Sequence, residues 1–169
     1  EYWSNHFNTI GIIGMNEACL NFMGKDISTP EGQQFTIRVM NYMREIMVEF
    51  QKETGHMYNL EATPAEGTSY RLALLDKKYY PGIITAGEED VYYTNSAQLP
   101  VGFGEDIMET VKLQDEIQSL FTGGTVQHLY LGESVKDINA AKKLIKKIFE
   151  TSKMPYISIT PTFSVCPNH

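Results

Sequence analysis

Short apolar runs alternate with longer amphipathic segments along this chain of 169 residues, and this alternation limits its fold more than any other feature. The apolar runs begin near Asn8, Met57, Val91, Thr125 and Pro155. Strands that are separated by long helices need crossover connections, which make the strands parallel and place the helices outside the sheet. The sequence therefore predicts an α/β fold with roughly five parallel strands.

The clearest helical segment lies between Thr29 and Gly55. Its apolar residues recur at intervals of three and four, which is typical of one face of a helix; they are Phe35, Val39, Tyr42, Met43, Ile46, Met47 and Phe50. Thr29 is a suitable N-cap, Pro30 suits the first helical position, and Gly55 suits the position just past the end. These signals predict a long helix from Pro30 to about Thr54.

Composition excludes several classes of protein. The formal net charge is −7 and no stretch is strongly basic, which argues against direct binding of nucleic acid. No apolar run is long enough to span a membrane. The two cysteines, Cys19 and Cys166, do not form a disulfide framework, so a reducing, cytoplasmic setting is expected. The length suits a single α/β unit over residues 1–169.

The stretch EATPAEGTSYR, from Glu61 to Arg71, leaves a strand and enters a helix near Gly67. Small residues at such a helix start leave backbone N–H groups open to an anion, and Thr68 and Ser69 add hydroxyl groups. An ordinary capped loop is the competing interpretation. The residues alone favour the capped loop, because they have neither the spacing nor the lysine of a P-loop.

Two other stretches carry residues suited to a ligand. Thr94, Asn95, Ser96 and Gln98 follow a strand-like run and could orient a substrate, although a solvated loop explains them as well. The pair Gly123-Gly124 indicates either close approach of the backbone to a ligand or a helix C-cap with a tight turn. The C-cap is favoured by the local sequence.

The remaining histidines and cysteines have weaker signals. His128 lies within a strand pattern and Cys19 in an apolar segment, so both are predicted to be buried structural residues. Cys166 and His169 have C-x-x-H spacing, which is half of a structural zinc site. No second pair of ligands with such spacing is present in the sequence.

Several stretches, taken together and in order, resemble the C-terminal half of the catalytic subunit of anaerobic (class III) ribonucleoside-triphosphate reductase. They are NTIGIIGMNEAC, NLEATPAEGTSYRLA, YYTNSAQLPV, LFTGGTVQHLYLGE and PYISITPTFSVCPNH, and they extend from Asn8 to His169. The resemblance implies a fragment of a ten-stranded α/β barrel, of which this chain is similar to one half.

The resemblance also implies a chemistry. The family reduces ribonucleoside triphosphates to deoxyribonucleotides for DNA synthesis: a glycyl radical oxidises a cysteine to a thiyl radical, which abstracts the 3′ hydrogen of the ribose. A radical S-adenosylmethionine activase generates the glycyl radical, and the parent enzyme is expected to be a homodimer. This chain has neither radical-bearing residue at a matching position, so no catalytic residue is assigned and the isolated chain is expected to be inactive.

Site residues follow from the same resemblance. The stretch that meets the substrate phosphates is implied to include Thr63, Ala65, Glu66, Gly67, Thr68 and Ser69. Residues that the resemblance places near the substrate, without a firm role, are Asn95, Ser96, Gln98, Gly123 and Gly124. Cys166 and His169 are implied zinc ligands in the parent enzyme, while stoichiometric zinc is not expected in this chain.

A different class of function stays open at this point. The chain could be a stand-alone small α/β module that binds a nucleotide or another phosphate ligand without catalysis. A gene that continues into a C-x-x-C pair and a glycyl-radical motif would favour the reductase.

Overall fold

A computed structural model of the chain describes residues 5–104, 106–131 and 137–160. Its strands are separated by one or two helices. The elements in order are β1 (Phe7–Gly11), α1 (Met15–Met23), α2 (Pro30–Thr54), β2 (Met57–Glu61), α3 (Glu66–Tyr79), α4 (Ile107–Ser119), β3 (Gln127–Tyr130), α5 (Ile138–Thr151) and β4 (Ile157–Thr160).

The strands form two parallel pairs. In the first pair, β1 lies beside β2, with Phe7 opposite Met57. In the second pair, β3 lies beside β4, with Gln127 opposite Ile157. Helices α1 and α2 connect the first pair and α5 connects the second, so each pair is a β-α-β crossover unit. The predicted α/β fold with parallel strands is confirmed.

The strand predicted at Val91 is wrong. Tyr92 forms only an isolated antiparallel bridge with Ala86. Beyond it, the backbone turns at Ser96, whose φ of 48° lies in the left-handed region. The carbonyls of Thr94 and Ser96 instead accept hydrogen bonds from the N–H groups of Gly14 and Met15, at 2.9 and 3.0 Å. A left-handed residue interrupts the extended backbone that a ladder requires, so this segment ends as a turn beside the start of α1.

Helix α2 has the boundaries that its local sequence predicts. The Thr29 side chain accepts a hydrogen bond from the Gly32 N–H, Pro30 is the first helical residue, and Gly55 ends the helix with a φ of 71°. Glycine adopts this left-handed conformation without a steric penalty. No helix in the described part of the chain, α2 included, is both long and apolar enough to cross a membrane.

Two apolar clusters hold the elements together. The larger joins α1, α2, β2 and α4, and its buried residues include Cys19, Met40, Met47, Leu60 and Ile117. The smaller lies between α4, β3 and α5, and its buried residues are Val111, Leu129, Ile148 and Met154. The Cys19 side chain is fully buried, as predicted, and this burial raises the pKa of its thiol.

A glycine-containing turn runs along β2 and continues into β3. The N–H groups of Thr122 and Gly123 donate to the Leu60 carbonyl, and the Ala62 N–H donates to the Gly124 carbonyl at 2.9 Å. The C-cap predicted at the glycine pair is wrong, because α4 already ends at Ser119 with Leu120 as its C-cap. A Cβ at Gly123 would lie 3.1 Å from the Leu60 carbonyl oxygen, so a larger residue would require β2 to shift by a few tenths of an ångström.

Candidate functional site

Three turns that lie far apart in the sequence meet near the carboxyl ends of β1 and β2. The turn from Thr63 to Ser69 follows β2, the turn from Thr94 to Gln98 lies beside the start of α1, and the turn from Thr122 to Gly124 borders β2. Thr63 packs so tightly against the end of β1 that a Cβ at Gly11 would lie 2.2 Å from its Oγ1 atom. Ligands of parallel α/β folds bind at this edge of the sheet.

The start of α3 presents open backbone amides. Ala65 is the N-cap, with a φ of 43°, and no side chain caps the helix. Glu66, Gly67 and Thr68 are exposed, and no acceptor in the described residues bonds their N–H groups. The Ser69 N–H is the first to bond within the helix, to the Ala65 carbonyl at 2.9 Å. Three open amides at the positive end of a helix dipole favour an anion.

Ser69 differs from its neighbours because its hydroxyl is already engaged. The Oγ atom donates to the Tyr93 carbonyl at 2.6 Å and accepts from the Tyr93 N–H at 3.0 Å. The side chain is buried. These bonds attach the first turn of α3 to the segment that leads into the Thr94–Gln98 turn.

The Tyr93 side chain strengthens the same attachment. Its hydroxyl donates to the Asp76 carboxylate of α3 at 2.6 Å. Burial, followed by the hydrogen bond to Asp76 and the negative charge there, raises the pKa of the Tyr93 phenol above its ordinary value. The phenol therefore stays protonated as a donor over a wide pH range.

The Thr94–Gln98 turn contains buried polar atoms without hydrogen-bond partners among the described residues. Ser96 is fully buried, and its hydroxyl has no partner in the described residues. The Asn95 Oδ1 atom is likewise buried without a hydrogen-bond partner among them. Buried polar atoms without partners are rare in folded proteins and indicate a strained or ligand-binding position. The left-handed Ser96 lies in this turn as well.

A cavity of about 770 Å³ opens beside this turn, between it and the carboxyl ends of β3 and β4. Asn95 and Gln98 line it, whereas Ser96, Gly123, Gly124 and the predicted phosphate-binding residues do not. The apolar part of the cavity wall is formed by Leu99, Phe103, Ile107 and Leu129. The side chain of Gln127 has a second buried carbonyl oxygen without a hydrogen-bond partner among the described residues. A ligand in this cavity would therefore need an apolar body and hydrogen-bond donors.

Sequence reasoning missed several residues of this region. His128 was predicted to be a core residue but is half-buried on the cavity wall, with its ring centroid 6.4 Å from that of Tyr130. Gln127 and the segment 100–104 also line the cavity, although their local sequence carries no signal of a ligand site. The local sequence of β3, Gln-His-Leu-Tyr, has no polar and apolar alternation that would have indicated which of its side chains line a cavity.

Cys166 and His169 are outside the residues that the structure describes. Within residues 5–104, 106–131 and 137–160, no group of three or more His, Cys, Asp and Glu side chains is arranged to hold a metal ion.

Comparison with known proteins identifies one family. The family described as "Anaerobic ribonucleoside-triphosphate reductase" matches residues 1–169. The anaerobic ribonucleoside-triphosphate reductase of Haemophilus influenzae is 25% identical over 162 residues, which are 94% of this chain and 22% of the relative. The corresponding enzyme of Enterobacteria phage T4 is 27% identical over 124 residues, which are 73% of this chain and 19% of the relative. The chain thus spans about a fifth of the length of these relatives.

Solved structures agree in fold. The anaerobic ribonucleotide reductase from Thermotoga maritima with MES in the active site is 27% identical, with a TM-score of 0.76, and the match covers 96% of this chain and 27% of that one. The same enzyme in complex with dATP and CTP has a TM-score of 0.75 at 26% identity, over 96% of this chain and 27% of that one.

Proposed function

The chain belongs to the anaerobic ribonucleoside-triphosphate reductase family, and on this premise we propose that it forms one wall of the substrate site in a longer catalytic subunit. That subunit reduces ribonucleoside triphosphates to deoxyribonucleoside triphosphates. This chain binds and orients the substrate there, while residues outside it perform the radical chemistry.

The substrate phosphates bind at the start of α3. The observation that carries this assignment is the set of open N–H groups at Glu66, Gly67 and Thr68. Thr63 and Ala65 shape the turn before them, and Ser69 holds the turn to Tyr93. Charge-assisted hydrogen bonds from backbone amides suit phosphate oxygens and need no lysine.

The nucleoside part of the substrate lies in the cavity beside Asn95 and Gln98. Its volume of about 770 Å³ falls within the usual range for small-ligand sites. The unpartnered oxygens of Asn95 and Gln127 accept hydrogen bonds from hydroxyl or amino groups, and the apolar wall covers a ring. Ser96 and the glycine pair set the backbone of the neighbouring turns rather than line this cavity.

The rest of the assignment follows from the family resemblance. A glycyl radical elsewhere in the subunit supplies the one-electron oxidant for the reaction, and a radical S-adenosylmethionine activase installs it. Cys166 and His169 contribute to a zinc site that is completed by ligands outside this chain. The enzyme acts as a homodimer in the cytoplasm.

A matched pair of substitutions at Gly67 tests the phosphate assignment. Gly67→Pro removes one of the open N–H groups at a position in the first helical turn where proline is tolerated. Gly67→Ala keeps the N–H, and its added Cβ meets no atom within 4 Å. In a titration of the chain with CTP followed by amide chemical shifts, Gly67→Pro is expected to weaken binding roughly tenfold and Gly67→Ala to leave it unchanged.

The same two substitutions, made in the longer catalytic subunit, distinguish the proposed reductase function from that of a stand-alone binding module. A loss of kcat/KM in Gly67→Pro alone, measured anaerobically with activase, supports the reductase assignment. Equal kcat/KM in both variants would show that the phosphates bind elsewhere. Binding of CTP by the chain, with no reductase activity in any longer protein that contains it, would favour the module.

A further inference from the structure

Two glutamines lie on the buried face of α4, where apolar residues would be expected. Gln114 is 0% exposed and Gln118 is 1% exposed. Val111 and Ile117 share this face of the helix and are equally buried. Burying an amide is costly unless its polar atoms are hydrogen-bonded, so a simple core helix would have leucine or methionine at these positions.

The two amides form a continuous hydrogen-bonded chain between two of the turns. The Gln114 Nε2 atom donates to the Ala97 carbonyl at 3.3 Å, and the Gln118 Nε2 atom donates to Gln114 Oε1 at 2.8 Å. The Thr125 hydroxyl in turn donates to Gln118 Oε1. Ala97 belongs to the Thr94–Gln98 turn, and Thr125 directly follows Gly123 and Gly124.

A direct hydrogen bond between the two turns closes this series of hydrogen bonds into a ring. The Gln98 Nε2 atom donates to the Val126 carbonyl at 2.9 Å. Ala97 and Gln98 are adjacent in the sequence, as are Thr125 and Val126. Two separate hydrogen-bonded connections therefore join the Thr94–Gln98 turn to the segment that follows Gly123 and Gly124. Two separate connections fix both the distance and the relative rotation of two segments, whereas one connection leaves a hinge.

We propose that Gln114 and Gln118 are positioning residues that hold the Thr94–Gln98 turn against the Gly123–Thr125 turn, so that Asn95 and Gln98 face the cavity. The identity of the ligand rests on the function proposed above, whereas the coupling of the two turns does not. Gln114 and Gln118 thereby act on the nucleoside part of the site without touching the ligand.

A purely structural role makes different predictions from a positioning role. If the glutamines only satisfy each other in the core, replacing both with methionine removes donors and acceptors together, which is nearly neutral for stability, and leaves the turns in place. If they position the turns, the same replacement removes the partners of the Ala97 carbonyl and the Thr125 hydroxyl and frees both turns locally. Methionine is similar in length to glutamine, so the change keeps the helix packed.

The test compares a double variant, Gln114→Met with Gln118→Met, with the control Ile117→Val. Ile117 is fully buried in the same helix but takes no part in the ring, so its substitution weakens packing alone. The reporters are the amides of Gln98, which donates to the Asn95 carbonyl, and Gly123, which donates to the Leu60 carbonyl. Their hydrogen exchange is measured in the chain without ligand and compared with that of Met40 in α2.

The double variant is expected to raise exchange at both reporters about tenfold, with Met40 unchanged. Ile117→Val is expected to raise exchange at the reporters no more than at Met40. Unchanged exchange at Gln98 and Gly123 in the double variant would overturn the proposal.

Ligand titration adds a second measurement. A purely structural role of the two glutamines would not change the affinity for CTP relative to that for tripolyphosphate. The double variant is expected to bind CTP roughly fivefold to tenfold more weakly but tripolyphosphate as tightly as the unmodified chain, because the start of α3 is not in the ring. An equal loss for both ligands would contradict positioning of the nucleoside part. If the unmodified chain binds neither ligand, the proposed function fails, and the exchange measurement still decides whether the glutamines couple the turns.

Discussion

Glu17 accepts two hydrogen bonds from Thr94, although 77 positions separate these residues in the chain. The Thr94 N–H donates to Oε2 at 2.8 Å, and the Thr94 hydroxyl donates to Oε1 at 2.6 Å. The Asn16 side-chain amide donates to Oε1 as well, at 2.9 Å. The Glu17 side chain is only 1% exposed, and these hydrogen bonds compensate for the burial of its carboxylate. They also attach α1 to the turn that contains Asn95.

Glu17→Gln should weaken this attachment. An amide has one acceptor oxygen, so the substitution places an NH₂ group against one of the two Thr94 donors. The free energy of unfolding is expected to fall by about 1–3 kcal/mol, as measured by urea denaturation. Glu49→Gln, at an exposed position of α2, is the control and should change it by less than about 0.5 kcal/mol. Equal effects at both positions would show that the Thr94 contacts contribute nothing.

Glu66→Gln should strengthen phosphate binding. Glu66 is the first residue of α3, so its exposed carboxylate lies at the helix end that we propose for phosphate and repels that ligand. Removal of the charge is expected to raise the affinity for CTP about twofold to fivefold at low salt, with a smaller gain as ionic strength rises. Glu116→Gln makes the same change in net charge at an exposed position of α4 and should have little effect. Weaker binding in Glu66→Gln would place the phosphates elsewhere.

The Tyr93 phenol should make stability depend on alkaline pH. Its pKa is raised in the folded chain, mainly by burial and then by Asp76, so the unfolded chain loses the phenolic proton first as pH rises. The contribution is therefore fully present below about pH 10, the ordinary tyrosine value, and is lost as pH rises above it. Tyr93→Phe should show a shallower fall in the free energy of unfolding between pH 9 and 11.

The control for this experiment is Tyr42→Phe, which removes the phenol at an exposed site on α2. It should retain the slope of the unmodified chain, because the hydrogen bond from Tyr93 to Asp76 stays in place. Identical slopes in Tyr93→Phe and the unmodified chain would mean that the hydrogen bond to Asp76 does not persist in solution.

Ala65→Gly should stabilise the chain. Ala65 has a φ of 43°, in a region where a Cβ is strained and glycine is not. The free energy of unfolding is expected to rise by up to about 1 kcal/mol. Ala140→Gly, in the first turns of α5 with ordinary helical geometry, should lower it by about 0.5–1 kcal/mol. Destabilisation in both variants would indicate that the left-handed geometry at Ala65 carries no strain.

Local sequence was sufficient for the elements themselves. Thr29, Pro30 and Gly55 act on the backbone within one helical turn, so the limits of α2 could be predicted from the residues around them. The alternation of short apolar runs and amphipathic segments likewise predicted parallel strands, since a crossover helix leaves no other simple arrangement. At the start of α3 the local sequence allowed either open amides or an ordinary capped loop and favoured the capped loop, which is wrong, because no side chain caps the helix at Ala65.

Tertiary contacts decided the rest. The run at Val91 has the composition of a strand, but the hydrogen bonds from Gly14 and Met15 and the left-handed Ser96 make it a turn. The glycine pair has the composition of a helix C-cap, but it lies where the backbone must approach Leu60. The local sequence gives no sign of a special role for Gln114 and Gln118, because their partners Ala97 and Thr125 lie on other segments of the fold. Propensity and capping act over a few positions, whereas hydrogen bonds such as that between Glu17 and Thr94 join distant segments and exist only once the chain has folded.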